Sequence, residues 1–330
     1  MAVTPEERPA AVRYDFAPLD GITKAVFRRV WSRYFGGADR LFIPFFSPTD
    51  QHILTPRDRR ELDPENNPDC VLVPQIMTCR AADFLWAADI AAEMGYREVN
   101  LNLGCPSGTV TAKGKGAGFL ARPRELDAFF AEVFSKITLP VSVKTRLGMT
   151  EPEEFPKLLE IYNRYPLSCL TIHPRVRQEK YRGAIHLEEF SAALAESRNP
   201  VCYNGDIRTV EEAAALEARF PALEAVMIGR GGVADPALFR KLRGGAPAGR
   251  EELQSFTAAL YEAYRAFYGQ TAPAAQRMKE VWFYLIHLFE GGERLDKKLR
   301  RSRGPAAYEA IEAEIFRDLP LRGHSQGDLV

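Results

Sequence analysis

The chain has 330 residues, 46% hydrophobic and 27% charged, with 44 Lys and Arg balanced by 44 Asp and Glu. That length can bury a sizeable core and suits one large barrel with an appendage, or two ordinary domains. A zero formal charge excludes a global field toward nucleic acid or anionic membrane, so a polyanion partner needs a local basic patch.

At the amino terminus, residues 1–10 carry no apolar signal core, and no later apolar run reaches membrane-spanning length, so the cytoplasm is the expected compartment. Strand-like runs are predicted at residues 14–18, 41–45, 71–76, 99–103, 141–145, 169–173, 201–204 and 225–228. Helical patterns at residues 81–94, 124–136, 153–164 and 210–219 separate them. Residues 49–69 are rich in proline and charge, which makes the second helix the least marked. Strands alternating with helices predict parallel β/α units, and eight of them predict a (β/α)8 TIM barrel. Residues 241–250 have linker composition, and residues 251–268, 274–289 and 306–317 are predicted helices. The expected organisation is a catalytic barrel at residues 1–243 and a small C-terminal helical domain at 250–330. Between its last two helices, residues 293–303 hold six basic and two acidic residues, which suits either a solvated face or phosphate contact.

The five cysteines (Cys70, Cys79, Cys105, Cys169, Cys202) form no C-x-x-C pair, so no metal site is expected. Cys169 and Cys202 lie in apolar runs and suit buried hydrophobes. Cys105 differs. It sits in Asn102-Leu-Gly-Cys-Pro-Ser-Gly108, at the end of the fourth predicted strand, ahead of Lys113-Gly-Lys-Gly-Ala-Gly118. Alone, that turn is compatible with a buried structural thiol; at a barrel strand end it is also where chemistry collects.

The other strand ends decide more. The seventh and eighth end in Asn204-Gly-Asp206 and Gly229-Arg230, a pattern for phosphate held by backbone N–H groups and a guanidinium. Gln75, Lys144 and His173 close the third, fifth and sixth. Lys144 would be costly to bury without an electron-rich partner, and Gln75 suits the edge of a heterocycle. Together they describe a planar, phosphate-bearing cofactor, best matched by flavin mononucleotide (FMN). No GxGxxG follows the first strand, so a dinucleotide fold is not supported.

These motifs resemble the tRNA-dihydrouridine synthases. Asn100-Leu-Asn-Leu-Gly-Cys-Pro106 is similar to the family's N-x-G-C-P signature. Ala17-Pro-Leu-Asp-Gly-Ile-Thr23, Val143-Lys-Thr-Arg-Leu-Gly148, Leu170-Thr-Ile-His-Pro-Arg175, Asn204-Gly-Asp206 and Ile228-Gly-Arg230 follow in the family's order. The likeness continues more loosely through Arg277-Met-Lys-Glu-Val-Trp-Phe-Tyr284. It implies an FMN barrel in which NADPH or NADH reduces the flavin, hydride passes to C6 of a flipped-out tRNA uridine, and Cys105 protonates C5. It implies Pro18, Leu19 and Asp20 along the flavin, Gln75, Lys144 and His173 at its polar edges, and Asn204, Gly205, Asp206, Gly229 and Arg230 at its phosphate. Asp20 departs from the family's usual small residue, which leaves only its backbone as a safe contact. Candidate RNA contacts are Asn102, Lys113, Lys115, Arg175, Arg177, Lys297, Lys298, Arg300 and Arg301. The partner is tRNA, with no membrane or metal and a monomer expected. The alternatives are an FMN barrel oxidoreductase acting on a free pyrimidine or enone, and a flavin-bearing RNA-binding module with little turnover.

Overall fold

A computed structural model describes residues 12–66, 71–327 and 329; the readings at residues 1–10 and Cys70 lie outside them. Eight parallel strands close into one barrel in sequential order: β1 Arg13–Phe16, β2 Arg40–Phe46, β3 Leu72–Ile76, β4 Val99–Leu103, β5 Val141–Arg146, β6 Cys169–His173, β7 Val201–Tyr203 and β8 Ala225–Ile228. Closure comes from β1 against β8, with Arg13 opposite Ala225 and Phe16 opposite Ile228. The fold is therefore the (β/α)8 barrel that the alternation predicted.

Side chains alternate across each strand, so every strand supplies one set to the helix layer and one to the interior. Phe42, Val73, Cys169, Cys202, Ala225 and Met227 pack together as a buried apolar cluster of their own. Cys169 and Cys202 belong to it as small hydrophobes. Asp15, fully buried, is neutralised by Arg40 at 2.8 Å and Arg13 at 3.2 Å.

The second helix, masked in sequence by proline and charge, is Pro56–Leu62. Thr55 caps it by accepting from Asp58 N at 3.1 Å, and Pro56 occupies the first turn, where a missing N–H costs nothing. Beyond the barrel, the described residues form four α-helices rather than three: Arg250–Tyr268, Thr271–Leu285, Glu293–Arg301 and Pro305–Asp318. The basic run is itself a helix because Leu295 and Leu299, one turn apart, bury on the same side. The helical region packs directly on the barrel: Phe256 lies edge-on to Phe27 and Phe35, and Arg277 donates to Gly21 O at 2.8 Å. No helix among the described residues is long and apolar enough to cross a membrane.

Candidate active site

Inside the upper barrel, a chain of amides runs between strands. Asn100 Nδ2 donates to Ser142 Oγ at 2.9 Å, Gln75 Nε2 to Asn100 Oδ1 at 2.7 Å, and Asn102 Nδ2 to Gln75 Oε1 at 2.7 Å. This leaves Asn102 Oδ1 to accept from Gly104 N at 3.0 Å and Cys105 N at 2.9 Å. The network thus fixes the turn that carries the thiol. Arg146 holds it from the other side, Nε donating to Gly104 O at 2.8 Å. The glycine loop folds back so that Ala117 N donates to Cys105 O at 3.1 Å. Gly116 lies at φ +56°, and a Cβ there would meet Val110 Cγ1 at 2.9 Å and Cys105 Cβ at 3.0 Å, so no larger residue fits without displacement.

A cavity of about 410 Å³ opens beside this turn, at the carboxyl ends of the strands. Pro18, Leu19 and Asp20 line it from the loop after β1, Gln75 from β3, Asn102 from β4, Cys105 from the turn after it, Lys144 from β5 and His173 from β6. Asn204, Gly205 and Asp206 after β7, and Gly229 and Arg230 after β8, complete that wall. A second cavity of about 420 Å³ adjoins it through Gly205, Asp206, Arg230 and Tyr181, with Arg175, Arg182 and Arg208 in its own wall.

Burial sets the charges. Desolvation, reinforced by Arg146, lowers the Lys144 ammonium to about 8. Desolvation also pushes His173 well below the ordinary imidazole range, with Arg146, Lys144, Arg175 and Arg230 adding repulsion. His173 Nε2 lies 3.1 Å from Arg175 Nη1, which can only donate, so His173 accepts there and is neutral. The Cys105 thiol is pushed up by burial, against lowering by the Ser107 backbone, Arg146 and Lys144, and stays protonated at neutral pH. Asp206 is raised by burial but more strongly lowered by Arg175 and Arg230, and is ionised.

Several expectations need correction. Arg175 is not a surface contact for RNA: it is 3% exposed, and its guanidinium is spent on Asp206 at 2.5 Å and Gly183 O at 2.9 Å. The Asp206 carboxylate, which can only accept, has no hydrogen bond to offer a phosphate. It bridges Arg175 and Arg230 and holds both guanidiniums at the cavity wall. The Asp20 side chain is half-exposed and pairs with Lys24 at 2.9 Å, and its charge helps to raise the Cys105 thiol. Lys113 is exposed; Lys115 and Arg177 are half-buried, the latter donating to Thr111 Oγ1 at 3.2 Å. Lys297, Lys298, Arg300 and Arg301 are all exposed on the helix Glu293–Arg301.

Other lining residues were not anticipated. Arg146 lies two residues after Lys144, on the same side of β5, and the period-two rule could have found it. Its pKa is lowered by burial to about 10. Tyr181, on the loop after β6, has Arg146 5.3 Å and Arg230 5.2 Å from its ring. Phe283 and Tyr284 reach the cavity from the helix Thr271–Leu285, and Leu329 from the carboxyl-terminal segment.

The chain matches the family described as Dihydrouridine synthase (Dus) over residues 15–313. It is 30% identical to "Probable tRNA-dihydrouridine synthase 1" of Synechocystis sp., covering 87% of this chain and 86% of that one. With tRNA-dihydrouridine synthase B of Pasteurella multocida it shares 30% identity over 69% of this chain and 68% of the other. Among solved structures it is similar to morphinone reductase, with a TM-score of 0.52 and 13% identity over 72% of this chain and 87% of that chain. It is also similar to histamine dehydrogenase from Rhizobium sp. 4-9, with a TM-score of 0.54 and 13% identity over 70% of this chain and 45% of that one. At such identity the structural likeness is one of fold.

Proposed function

Because the chain belongs to the dihydrouridine synthase family, we propose that it reduces a tRNA uridine to 5,6-dihydrouridine, with FMN as cofactor and NADPH or NADH as transient reductant. The cavity suits a flavin nucleotide on two counts. Arg230 Nη1 is buried with no hydrogen-bond partner among the described residues, a deficit that a phosphate oxygen meets. Lys144 is desolvated with no carboxylate among its electrostatic neighbours, and the electron-poor cation suits the N1/O2 edge of the ring.

When bound and reduced, FMN supplies a hydride for uracil C6. The chain's own residues bind, orient and protonate. Pro18, Leu19 and the Asp20 backbone line the ring, with Gln75, Lys144 and neutral His173 at its polar edges. Asn204, Gly205, Gly229 and Arg230 hold the phosphate, and Asp206 and Arg175 brace Arg230. Asn102 and Arg146, on the cysteine side, offer hydrogen bonds to the uracil. A thiol held protonated can act as general acid, so Cys105 Sγ–H gives its proton to C5 as the C5–C6 double bond accepts the hydride, and Sγ regains a proton from solvent. A stacked base cannot reach the barrel interior, so the uridine must be flipped out. Lys113, Lys115, Arg177, Lys297, Lys298, Arg300 and Arg301 are the proposed RNA-facing cations.

One observation carries this: a protonated Cys105 and a desolvated Lys144 share one cavity at the barrel's carboxyl face. The test is Cys105→Ala. The purified variant should stay yellow and bind FMN as wild type does, while dihydrouridine formation on tRNA drops by about 10² to 10⁴, the usual contribution of a positioned acid. Turnover at the wild-type rate would remove Cys105 from the mechanism, and a colourless wild type that takes up no FMN would remove the cofactor.

A further inference from the structure

We infer that the carboxyl-terminal segment, residues 320–327 with Leu329, is a strap that forms part of the cofactor cavity wall and retains the phosphate end of the ligand; this rests on the flavin reading above. After the helix Pro305–Asp318 the chain runs beside residues 287–290. Glu290 N donates to Pro320 O at 2.9 Å, Arg322 N to Leu288 O at 2.8 Å, and Gln326 N to His287 O at 3.0 Å. His287 Nδ1 donates in turn to Gln326 O at 2.8 Å, and Phe289 bridges Leu321 in antiparallel sense.

Two barrel cations then take hold of the strap. Lys241 Nζ donates to Gly323 O at 2.8 Å, and the Arg208 guanidinium donates to Gly327 O. Arg208 belongs to the loop after β7 that also carries Gly205 and Asp206, so the strap is tied to the proposed phosphate loop itself. Gly327 lies at φ +94°, and a Cβ there would come within 2.9 Å of His287 Nδ1. The chain therefore turns at a residue that only glycine fills without strain. Past that turn, Leu329 is 5% exposed and lines both adjoining cavities.

Leucine offers an anion no hydrogen bond. Its contribution is to keep water from Arg175, Arg230 and Asp206, because charge–charge interactions strengthen as the local dielectric falls. Leu329 borders both cavities, so it stands at the phosphate end of the proposed site. The strap consequently acts on release more than on recognition.

The experiment compares FMN-loaded full-length wild type with Leu329→Asp, Leu329→Ala and Arg208→Ala, following flavin fluorescence after dilution. Leu329→Asp is expected to release FMN about tenfold faster, since burial of one leucine and one added carboxylate both act at the phosphate end. Leu329→Ala and Arg208→Ala should give the same direction with smaller size, and circular dichroism should be unchanged. If the aspartate variant does not fold, the two alanine variants decide. A strap that merely staples the helical region would lower Tm without altering release, and unchanged release in folded variants overturns the inference while the flavin reading stands. A wild type that binds no FMN overturns both, and is told apart because it shows no flavin signal to release.

Discussion

Lys144, His173 and Cys105 share one cavity and are pushed by the same burial in opposite electrical directions. Desolvation disfavours whichever form is charged, so the two bases lose protons more easily and the acid holds its proton more tightly. The result is a neutral imidazole, a protonated thiol and an ammonium that titrates near pH 8. Lys144 makes the clearest prediction. Its folded pKa of about 8 lies below the ordinary 10.5, so between those values the unfolded chain binds the extra proton and apo-protein stability rises with pH. Ligand affinity has the opposite sign, since only the ammonium attracts an electron-rich ring. The FMN dissociation constant should be flat below about pH 7 and rise above pH 8, by at most about tenfold per pH unit. Lys144→Met should flatten that rise and bind more weakly at pH 7. Titration of FMN binding by fluorescence at fixed ionic strength checks it, and identical profiles for the two proteins would exclude Lys144 as the titrating group.

The β4 turn and its glycine loop work as one element, because Asn102, Arg146 and the returning backbone of Ala117 all terminate on residues 104–105. Gly116→Ala must push against Val110 and Cys105 and adopt a φ that alanine resists, at a cost of roughly 1–3 kcal/mol. Turnover should fall well below wild type while FMN affinity stays within about twofold, because the flavin-lining residues lie on other loops; a circular-dichroism melt and flavin titration together separate the two effects, and full turnover would show that the loop does not position the thiol. Much of this element was legible beforehand. Gly-Cys-Pro at a strand end, the strand alternation and the order of strand-end motifs placed Cys105, Gln75, Lys144 and His173 on one face. What escaped notice has physical reasons. Arg146 follows Lys144 at the strand period and closes the same strand-end motif, but nothing local in the sequence says what a strand-end guanidinium will touch. Arg175 stands just past His173 beside Arg177, which suggested an RNA contact, and its pairing with Asp206 across two loops has no local sequence signal. Tyr181 and Leu329 reach the cavity from a loop and a strap without periodicity, where no local pattern says which way a side chain turns.

Zero net charge over the whole molecule means that attraction to tRNA must be local, and the helix Glu293–Arg301 is where exposed cations concentrate. Its four tested cations are not equivalent. Lys298 pairs with Glu314 and Arg300 with Asp296, the latter at 2.7 Å, whereas Lys297 and Arg301 are in no ion pair among the described residues. Arg300 also lies 5.8 Å from the ring of Phe283, a cavity-lining residue, so this helix stands next to the mouth of the site. A nucleotide entering that mouth would leave its neighbouring phosphates within reach of the basic face. Partnered cations are already neutralised and release fewer counterions from RNA than free ones. Reversing Lys297 and Arg301 to Glu should therefore weaken tRNA binding more than reversing Lys298 and Arg300. It should also reduce the slope of log affinity against log salt by about 1.5, the value for two phosphate contacts. FMN binding, and reduction of the flavin by NADPH without tRNA, should be untouched by either double variant. Binding isotherms at several salt concentrations measure both quantities. Equal slopes for all three proteins would show that the RNA docks elsewhere, whereas equal losses for the two variants would mean that the ion pairs to Glu314 and Asp296 open when RNA arrives.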